Sequence, residues 1–265
     1  MQIVRTISDL ACLHESALVP TMGALHEGHR SLVRAAVASG RPAVVSIFVN
    51  PAQFAPGEDL DAYPRTLERD LDLCRDDGAA AVFAPEVDTV YPGDASVQTP
   101  PLPAVAASPG LEDACRPHFF QGVCRVVARL FDLVRPAEAF FGEKDWQQLR
   151  VVTEMVAAHQ DRWPSLTITA HPTVREPDGL AMSSRNVYLS PSSRDRALAL
   201  HRALSRASEG EPAMRRTLDA AGLTTDYAVI RDAETLLAPT ADRPQRALVA
   251  ASLDGTRLID NAAVP

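Results

Sequence analysis

The stretch Pro20-Thr-Met-Gly-Ala-Leu-His26-Glu-Gly28-His29 decides the fold. A short apolar run, Ala17-Leu-Val-Pro20, leads into a glycine-containing turn, then into two histidines three positions apart, and then into a helical pattern. We expect this layout to place two imidazoles and free backbone N–H groups at a helix N-terminus, where the helix dipole favours anions. The stretch therefore predicts a loop that holds a phosphate chain, as nucleotide chemistry requires.

Two other interpretations of the histidine pair stay open at this point. His26 and His29 could ligate a metal, but no third ligand is found at a matching spacing, and we predict no metal site in the chain. The two rings could also simply cap the helix. Phosphate contact is favoured because Gly23 and Gly28 let the backbone approach an anion closely.

Short apolar runs alternate with longer helical patterns over the first part of the chain. This alternation is typical of βαβ units in a parallel sheet that is covered on both faces. Ligands of such sheets bind at the carboxyl ends of the strands, near a topological switch point. We predict an α/β fold, with a Rossmann-like parallel-sheet nucleotide-binding domain over residues 1–187. Its predicted strands are Ala17–Pro20, Ala43–Val49, Ala80–Ala84, Glu138–Phe141 and Leu166–His171, and its predicted helices are His29–Ala38, Thr66–Asp76, Val123–Val134 and Asp145–His159.

The pattern changes after Ser190-Pro191. Ser190 is a good N-cap and Pro191 a good first helical residue, and they predict a helix that runs to about Ala207. A short helix, a strand at Tyr227–Ile230 and a hairpin should follow. The hairpin is predicted from Ala247–Leu253 and Arg257–Ile259, with its turn at Asp254-Gly255. We therefore predict a small α+β C-terminal lid domain over residues 188–265.

Composition limits the possible partners and compartment. The 265 residues carry a net charge of −8 and a pI near 5.4, which argues against an extended nucleic-acid surface. The four cysteines show neither a C-x-x-C pair nor zinc spacing, as expected for free thiols in a reducing cytosol. No apolar leader and no apolar run of about 20 residues is visible. We expect a soluble cytoplasmic protein with no membrane partner.

Several catalytic motifs are absent from the sequence. There is no G-x-S-x-G elbow, Walker P-loop, G-x-G-x-x-G, H-E-x-x-H or EF-hand loop. Covalent serine catalysis and hydride transfer therefore have no support.

A second candidate segment is Phe140-Phe-Gly142-Glu143-Lys144-Asp145-Trp-Gln-Gln148, at another predicted strand-to-helix junction. A cation where a helix begins is unfavourable unless an anion is bound there. Gln148 follows four positions later and should project to the same side as Lys144, whereas Gln147 should point elsewhere. The alternative is that Lys144 is an ordinary solvated surface charge.

Two loops add polar groups. Ala181-Met182-Ser183-Ser184-Arg185-Asn186 offers hydroxyls and a forked guanidinium that suit phosphate oxygens, although it could be an ordinary interdomain loop. In Phe48-Val-Asn50-Pro51-Ala-Gln53-Phe54, the two amides can orient a small polar ligand, although a loop glutamine can also be merely solvated. The following stretch, 59–65, could be a gate over the site or a solvated loop.

These segments, in this order, resemble the pantothenate synthetase (pantoate–β-alanine ligase) family. The matching motifs are P-T-M-G-A-L-H-E-G-H, I-F-V-N-P-A-Q-F, D-L-D-A-Y-P-R, F-F-G-E-K-D-W-Q-Q-L, M-S-S-R-N-x-Y-L and the terminal R-L-I-D-N. The resemblance implies a nucleotide fold like that of class I aminoacyl-tRNA synthetases and nucleotidyltransferases. It also implies a cytoplasmic homodimer that uses Mg²⁺ with ATP.

The reaction that the resemblance implies has two steps. ATP activates (R)-pantoate as pantoyl adenylate with release of pyrophosphate, and β-alanine then displaces AMP to give pantothenate. Carried over by motif position, the catalytic residues would be His29, His26 and Lys144. Gln53 and Gln148 would hold pantoate, and Gln53 would border the β-alanine site. The ATP-binding residues would be Met22, Gly23, Ala24, Leu25, His26, Glu27, Gly28, His29, Gly142, Glu143, Lys144, Asp145, Val174, Met182, Ser183, Ser184 and Arg185.

The sequence departs from the family pattern after Arg116. The family commonly reads R-P-x-H-F-x-G-V, but here Phe119 stands where that histidine is expected, and His118 comes one position early. Either His118 substitutes from a shifted position or the contact is lost. Arg125 and Arg129 replace the usual Thr and Lys nearby.

Two rival functions remain to be distinguished. A nucleotidyltransferase that adenylylates a phosphate-ester substrate shares H-x-G-H and a late serine-rich loop, but Gln53 and Gln148 suit a hydroxy acid better than a phosphate. A non-catalytic paralogue could bind nucleotide or tRNA. The acidic net charge disfavours tRNA, and the presence of His26, His29, Lys144 and Arg185 disfavours loss of catalysis.

Overall fold

The fold is built on a six-stranded parallel sheet. The structure, a computed structural model, describes residues 1–54, 57, 60–93 and 97–265, and at Cys12 only the backbone. The strands lie in the order β1-β4-β3-β2-β5-β6. They are β1 (Gln2–Val4), β2 (Ala17–Thr21), β3 (Ala43–Ile47), β4 (Ala81–Phe83), β5 (Glu138–Gly142) and β6 (Thr167–His171). Five of them confirm predicted strands, and the order of those five is that of a Rossmann-like sheet.

Strand β1 was not predicted from the sequence. Its three residues are too few for a recognisable period, and it forms because it pairs in parallel with β4 at the edge of the sheet.

Helices cover both faces of the sheet. They are α1 (Glu27–Ala38), α2 (Leu67–Asp76), α3 (Val87–Val90), α4 (Glu112–Cys115), α5 (Phe119–Val134) and α6 (Trp146–Ala158). Alternate strand residues face opposite sides, so Leu18 packs in the core that contains α5 and α6, whereas Val19 packs in the core that contains α1 and α2. Burial on both faces explains the near-continuous apolar strands in the sequence.

Helix α5 begins four residues before its predicted start. The predicted start was Val123, and the residue before it, Gly122, is one that disfavours a helix interior. In the structure a Cβ at Gly122 would lie 2.2 Å from the carbonyl oxygen of Ala52. The glycine is therefore kept inside the helix because the turn Pro51–Gln53 packs directly against it.

The C-terminal part is α+β, as predicted. A three-stranded antiparallel sheet is formed by β7 (Thr224–Asp232), β8 (Gln245–Leu253) and β9 (Thr256–Ala263). Asp254 and Gly255 both have positive φ, 48° and 82°, which is the geometry of a two-residue hairpin turn. The hairpin prediction is confirmed.

The single helix predicted from Pro191 to about Ala207 was wrong in its length. The structure has two helices, α7 (Pro191–Ala197) and α8 (Ala199–Leu204), and then α9 (Glu211–Ala220). The break falls at Leu198, whose ψ of −15° tightens the backbone away from α-helical geometry.

The two parts share apolar and polar contacts. Tyr227 and Leu248 of the C-terminal sheet pack into the same core as α5 and α6. Arg257 makes two hydrogen bonds to Glu112, at 2.7 and 2.8 Å, and the Tyr227 hydroxyl donates to the same carboxylate at 2.8 Å. Arg175 pairs in the same forked manner with buried Asp260. The boundary placed at residue 187 stays a prediction.

Among the described residues, no helix is long and apolar enough to cross a membrane. Cys74 and Cys124 are buried free thiols and Cys115 is an exposed one. The Cys12 thiol and Asp59, which the sequence analysis also considered, lie outside the described parts of the chain.

We predict that Arg257→Ala destabilises the fold by about 3–5 kcal/mol, because it leaves the Glu112 carboxylate buried without its cation. The free energy of unfolding from urea titration measures this. Arg206→Ala is the matched control, since Arg206 pairs with exposed Glu209 and its loss should leave stability near that of the unmodified protein. Equal stabilities for the two variants would contradict the assignment of Glu112 as a buried charge.

Candidate nucleotide-binding active site

One cavity of about 890 Å³ lies at the carboxyl edge of the parallel sheet. The four candidate segments meet there, because β2, β3 and β5 are neighbours and their following loops emerge side by side. The predicted site residues that line it are Met22, His26, Gly28, His29, Gln53, Gly142, Lys144, Asp145, Gln148, Val174, Met182, Ser183, Ser184 and Arg185. The imidazole pair, the ammonium and the guanidinium thus share one cavity.

Five predicted nucleotide contacts do not line this cavity. Leu25 is buried in the core. Gly23 and Ala24 form the turn before it, with positive φ, and none of the three residues lines the cavity. Glu27 pairs with Arg34 on the outer face of α1. Glu143 accepts a hydrogen bond from Arg246 at 2.9 Å. The roles assigned to these five residues by resemblance remain predictions.

For Gly23, Ala24, Leu25 and Gly28, the expectation of free backbone N–H groups in the histidine loop was wrong. Gly23 N donates to Thr21 Oγ1, and Ala24 N and Leu25 N donate to the carboxylate of Asp70. Polar groups that lose contact with water need partners, and this loop finds them within the protein.

The histidines cap helix α1 and thereby fix their own orientation. Gly28 N donates to His26 Nδ1 at 3.1 Å, and His26 N donates to His29 Nδ1 at 3.4 Å. The two ring centroids lie 4.0 Å apart. Because each Nδ1 accepts, the proton of each neutral ring lies on Nε2, the nitrogen left to act as a donor. Capping and ligand contact are therefore compatible roles of the same side chains.

Both rings are held neutral. Burial lowers the pKa of His26 to about 4, with a further contribution from the Lys144 ammonium. Burial lowers the pKa of His29 to about 3, assisted by His26 and Lys144. At neutral pH the pair thus presents two N–H donors without adding positive charge to the site.

The C-terminal hairpin supports the backbone around Lys144 through hydrogen bonds from Asn261. Lys144 lies in the turn Glu143–Asp145, with its ammonium 3.6 Å from the Asp145 carboxylate. Asn261 Nδ2 donates to the carbonyl oxygens of Glu143 and Lys144, at 3.0 and 2.8 Å. Arg246 donates to Asn261 Oδ1 at 2.6 Å.

These supporting contacts are not visible in the sequence, because the R-L-I-D-N motif carries no signal that pairs residue 261 with residue 144. His171, a third imidazole that lines the cavity at the end of β6, was not predicted. Its position at a strand end was the available signal.

Asn50 supports Gln53 rather than facing a ligand freely. Asn50 is 1% exposed, and its Nδ2 donates to Gln53 Oε1 at 3.1 Å and to the carbonyl oxygen of Gly122 at 3.2 Å. Its Oδ1 accepts from the Tyr91 hydroxyl at 2.8 Å. Asn50 and Gln53 both line the cavity, and the ligand-orienting role suggested for the two amides stays a prediction.

Gln147 is buried and hydrogen-bonds to Glu112 N and Val105 O, at 2.9 and 2.8 Å, so its amide is used within the protein. Gln147, Gln148 and Lys144 all line the cavity, and the divergence of the two glutamines stays a prediction.

Phe119, not His118, stands at the cavity wall. The Phe119 ring lies 3.9 Å from the Arg116 guanidinium, which donates to the carbonyl oxygen of Gln53. His118 is exposed, and it does not substitute from a shifted position. Arg125 stacks on Tyr91 and Arg129 donates to Val90 O, so both hold the α3 region against α5.

The M-S-S-R loop meets the stretch after Gln53 at the mouth of the cavity. The hydroxyls of Tyr63 and Ser184 are 3.4 Å apart, and the Tyr188 hydroxyl donates to Ala62 O at 3.2 Å. Ala62 and Tyr63 thus border the site, and a gating role for this stretch stays a prediction. Ser183 caps the turn Ser184–Tyr188 by accepting from Arg185 N at 3.3 Å.

Together, the doubly covered parallel sheet and this cationic, donor-rich cavity at its switch point define a nucleotide-binding α/β protein. Comparison with known proteins identifies the family. The pattern of the family described as Pantoate-beta-alanine ligase matches residues 2–263. The chain belongs to this family.

Relatives and solved structures agree along almost the whole chain. The sequence is 52% identical over 261 residues to pantothenate synthetase 2 of Bradyrhizobium diazoefficiens, covering 94% of this chain and 90% of that protein. The fold is similar to pantothenate synthetase from Thermus thermophilus, with a TM-score of 0.90, 44% identity and 99% of both chains covered. It is also similar to the Francisella tularensis pantoate-beta-alanine ligase complexed with beta-gamma ATP and beta-alanine, with a TM-score of 0.84, 29% identity and 99% and 97% of the two chains covered.

We predict that stability decreases as pH falls from about 6.5 toward 4. The folded pKa values of His26 and His29 lie below the ordinary 6.5, so the unfolded chain takes up protons first. Each ring contributes a slope of up to about 1.4 kcal/mol per pH unit. Unfolding titrations at several pH values should give a shallower slope for His29→Gln. An equal slope would contradict a buried neutral ring, and His14→Gln, at an exposed ring, is the control.

Proposed function

We propose that the protein condenses (R)-pantoate with β-alanine, using ATP, and releases AMP and pyrophosphate. The observation that carries this proposal is the shared cavity of two neutral imidazoles, Lys144 and Arg185, with the amides of Gln53 and Gln148 on its walls. Cationic and N–H donors suit a triphosphate, whereas amides suit the hydroxyl and carboxylate groups of a short hydroxy acid. Family membership supports the same reaction.

In the first step a pantoate carboxylate oxygen attacks the α-phosphorus of ATP in line, and the bond to the pyrophosphate oxygen breaks. Charge moves onto the leaving phosphates as this happens. His26 and His29 would donate their Nε2–H groups to phosphate oxygens, and Lys144 would neutralise the developing charge. Because the donors are fixed by capping and burial, they need little rearrangement during the reaction.

In the second step the neutral amine of β-alanine attacks the acyl carbon of pantoyl adenylate. The carbon–oxygen bond to the phosphate breaks, AMP leaves, and the amine gives up its proton. No protein nucleophile is needed, which agrees with the absence of a nucleophile motif in the sequence. Gln53 and Gln148 would hold the pantoyl group in both steps.

The residues that line the cavity suggest how the nucleotide would lie in it. Val174, whose carbonyl oxygen accepts a hydrogen bond from Met182 N, would hold the adenine. Gly142 to Asp145 would hold the ribose and phosphate side, and Met182 to Arg185 the triphosphate. Among the described residues, no cluster of three His, Cys, Asp or Glu side chains could hold a metal.

Mg²⁺ would therefore arrive with ATP. The Asp145 carboxylate lines the cavity and is an oxygen donor of the kind that Mg²⁺ prefers. When bound, the ion would screen the phosphate charge. By the same family resemblance, we propose a cytoplasmic homodimer, and the buried free thiols of Cys74 and Cys124 fit a reducing compartment.

We predict that ATP, pantoate and β-alanine together yield AMP and pyrophosphate, whereas omission of β-alanine leaves an enzyme-bound acyl adenylate. With ¹⁸O in the pantoate carboxylate, one label should appear in AMP, because that oxygen bridges carbon and phosphorus in the intermediate. Mass spectrometry of AMP measures it. Formation of ADP, or of unlabelled AMP, would contradict the proposal. Adenylyl transfer to a phosphate ester would instead favour the nucleotidyltransferase alternative.

We predict that His29→Ala loses turnover by about 10²–10³-fold while the protein still folds, because the ring acts on charge that develops in the transition state. Single-turnover formation of the acyl adenylate measures the chemical step, and circular dichroism checks the fold. His118→Ala, which removes an exposed ring outside the cavity, should turn over normally. Unchanged turnover in His29→Ala would remove this residue from the mechanism.

A further inference from the structure

A buried carboxylate lies behind the histidine loop. Asp70, on helix α2, is 0% exposed. Its Oδ2 accepts from Ala24 N at 2.9 Å and from Thr66 Oγ1 at 3.2 Å, and its Oδ1 accepts from Leu25 N at 2.9 Å. Hydrogen bonds to a charged acceptor are stronger than neutral ones. Both oxygens thus hold a segment that is 45 residues or more away in sequence.

The segment that Asp70 holds has a strained backbone. Gly23 and Ala24 both have positive φ, 81° and 51°. The left-handed region suits glycine but is unfavourable for alanine, and such a conformation persists only where the surroundings fix it. The Ala24 N–H is itself one of the groups bound to Asp70. A Cβ at Gly23 would lie 3.1 Å from Asp70 Oδ2, so the loop and the carboxylate are in close contact.

Asp70 does not contact the ligand cavity. It lines a separate, smaller cavity of about 170 Å³ on the other side of the loop, with Met22 and Gly23. His26 and His29 line the large cavity. Any influence of Asp70 on the reaction must therefore pass through the loop backbone.

We propose that Asp70 is a positioning residue that directs His26 and His29 into the active site. By holding Ala24 and Leu25, it fixes the left-handed turn that delivers His26 to the N-cap position of α1. The N-cap geometry in turn makes both Nδ1 atoms acceptors and leaves both Nε2–H groups as donors. The catalytic consequence rests on the proposed function, whereas the effect on the rings does not.

The test compares Asp70→Asn with Asp72→Asn. The amide keeps the volume of Asp70, but its single oxygen can no longer accept from both Ala24 N and Leu25 N. We expect kcat for acyl adenylate formation to fall about tenfold or more, since small misplacements of reacting groups are costly. Asp72 is on the same helix but is exposed and pairs with Arg75, so its variant should keep the unmodified kcat.

Histidine ring ¹⁵N spectra of the substrate-free protein provide a readout that simple destabilisation would not move. We expect mainly the Nε2–H form for His26 and His29 in the unmodified protein, and a mixture of ring forms in Asp70→Asn. This readout tests Asp70 even if the unmodified protein makes no pantothenate.

A folded Asp70→Asn variant with unchanged ring signals and kcat would overturn the proposal. If that variant does not fold, Thr66→Val removes one hydrogen bond and leaves the carboxylate in place. Smaller shifts of the same ring signals would then support the proposal, and unchanged signals would overturn it.

Discussion

The site depends on the parallel pairing of β2 with both β3 and β5. Leu18 lies opposite Val44 on one side and opposite Ala139 on the other. The loop after Thr21 therefore emerges between the turn that carries Gln53 and the junction that carries Lys144. A slip of one residue would exchange the faces of Leu18 and the next residue, which belong to different cores, so the apolar packing fixes this register.

The histidine loop both caps helix α1 and lines the active-site cavity. An imidazole that accepts at Nδ1 caps the helix and, by the same bond, commits its proton to Nε2. Burial then keeps the ring neutral, so two donors are brought together without mutual charge repulsion. Permanent positive charge in the cavity comes from other side chains, among them the Lys144 ammonium and the Arg185 guanidinium. This arrangement of charges suits an acidic protein that binds an anionic ligand.

Much of this architecture could be predicted from local sequence patterns. Apolar strands and glycine turns located the sheet, and the Asp254-Gly255 turn located the hairpin. Local patterns could not reveal contacts between distant residues, such as Asp70 with Ala24 or Asn261 with Lys144. Nor could they show that the loop N–H groups were already used, because that depends on a carboxylate from another helix. The true start of α5 could not be recognised, because Gly122 disfavours a helix interior and the carbonyl group of Ala52, which requires a glycine there, lies far away in the chain.

The contact between Asn261 and the Lys144 junction also constrains the order in which the site can be completed. Strands β1 to β6 are all synthesised by residue 171, and domains generally begin to fold from the N-terminal side during translation. The carbonyl oxygens of Glu143 and Lys144, however, receive their partner only from β9. A nascent chain that has already formed the parallel sheet would therefore still lack this support for Lys144 until the final hairpin leaves the ribosome and docks.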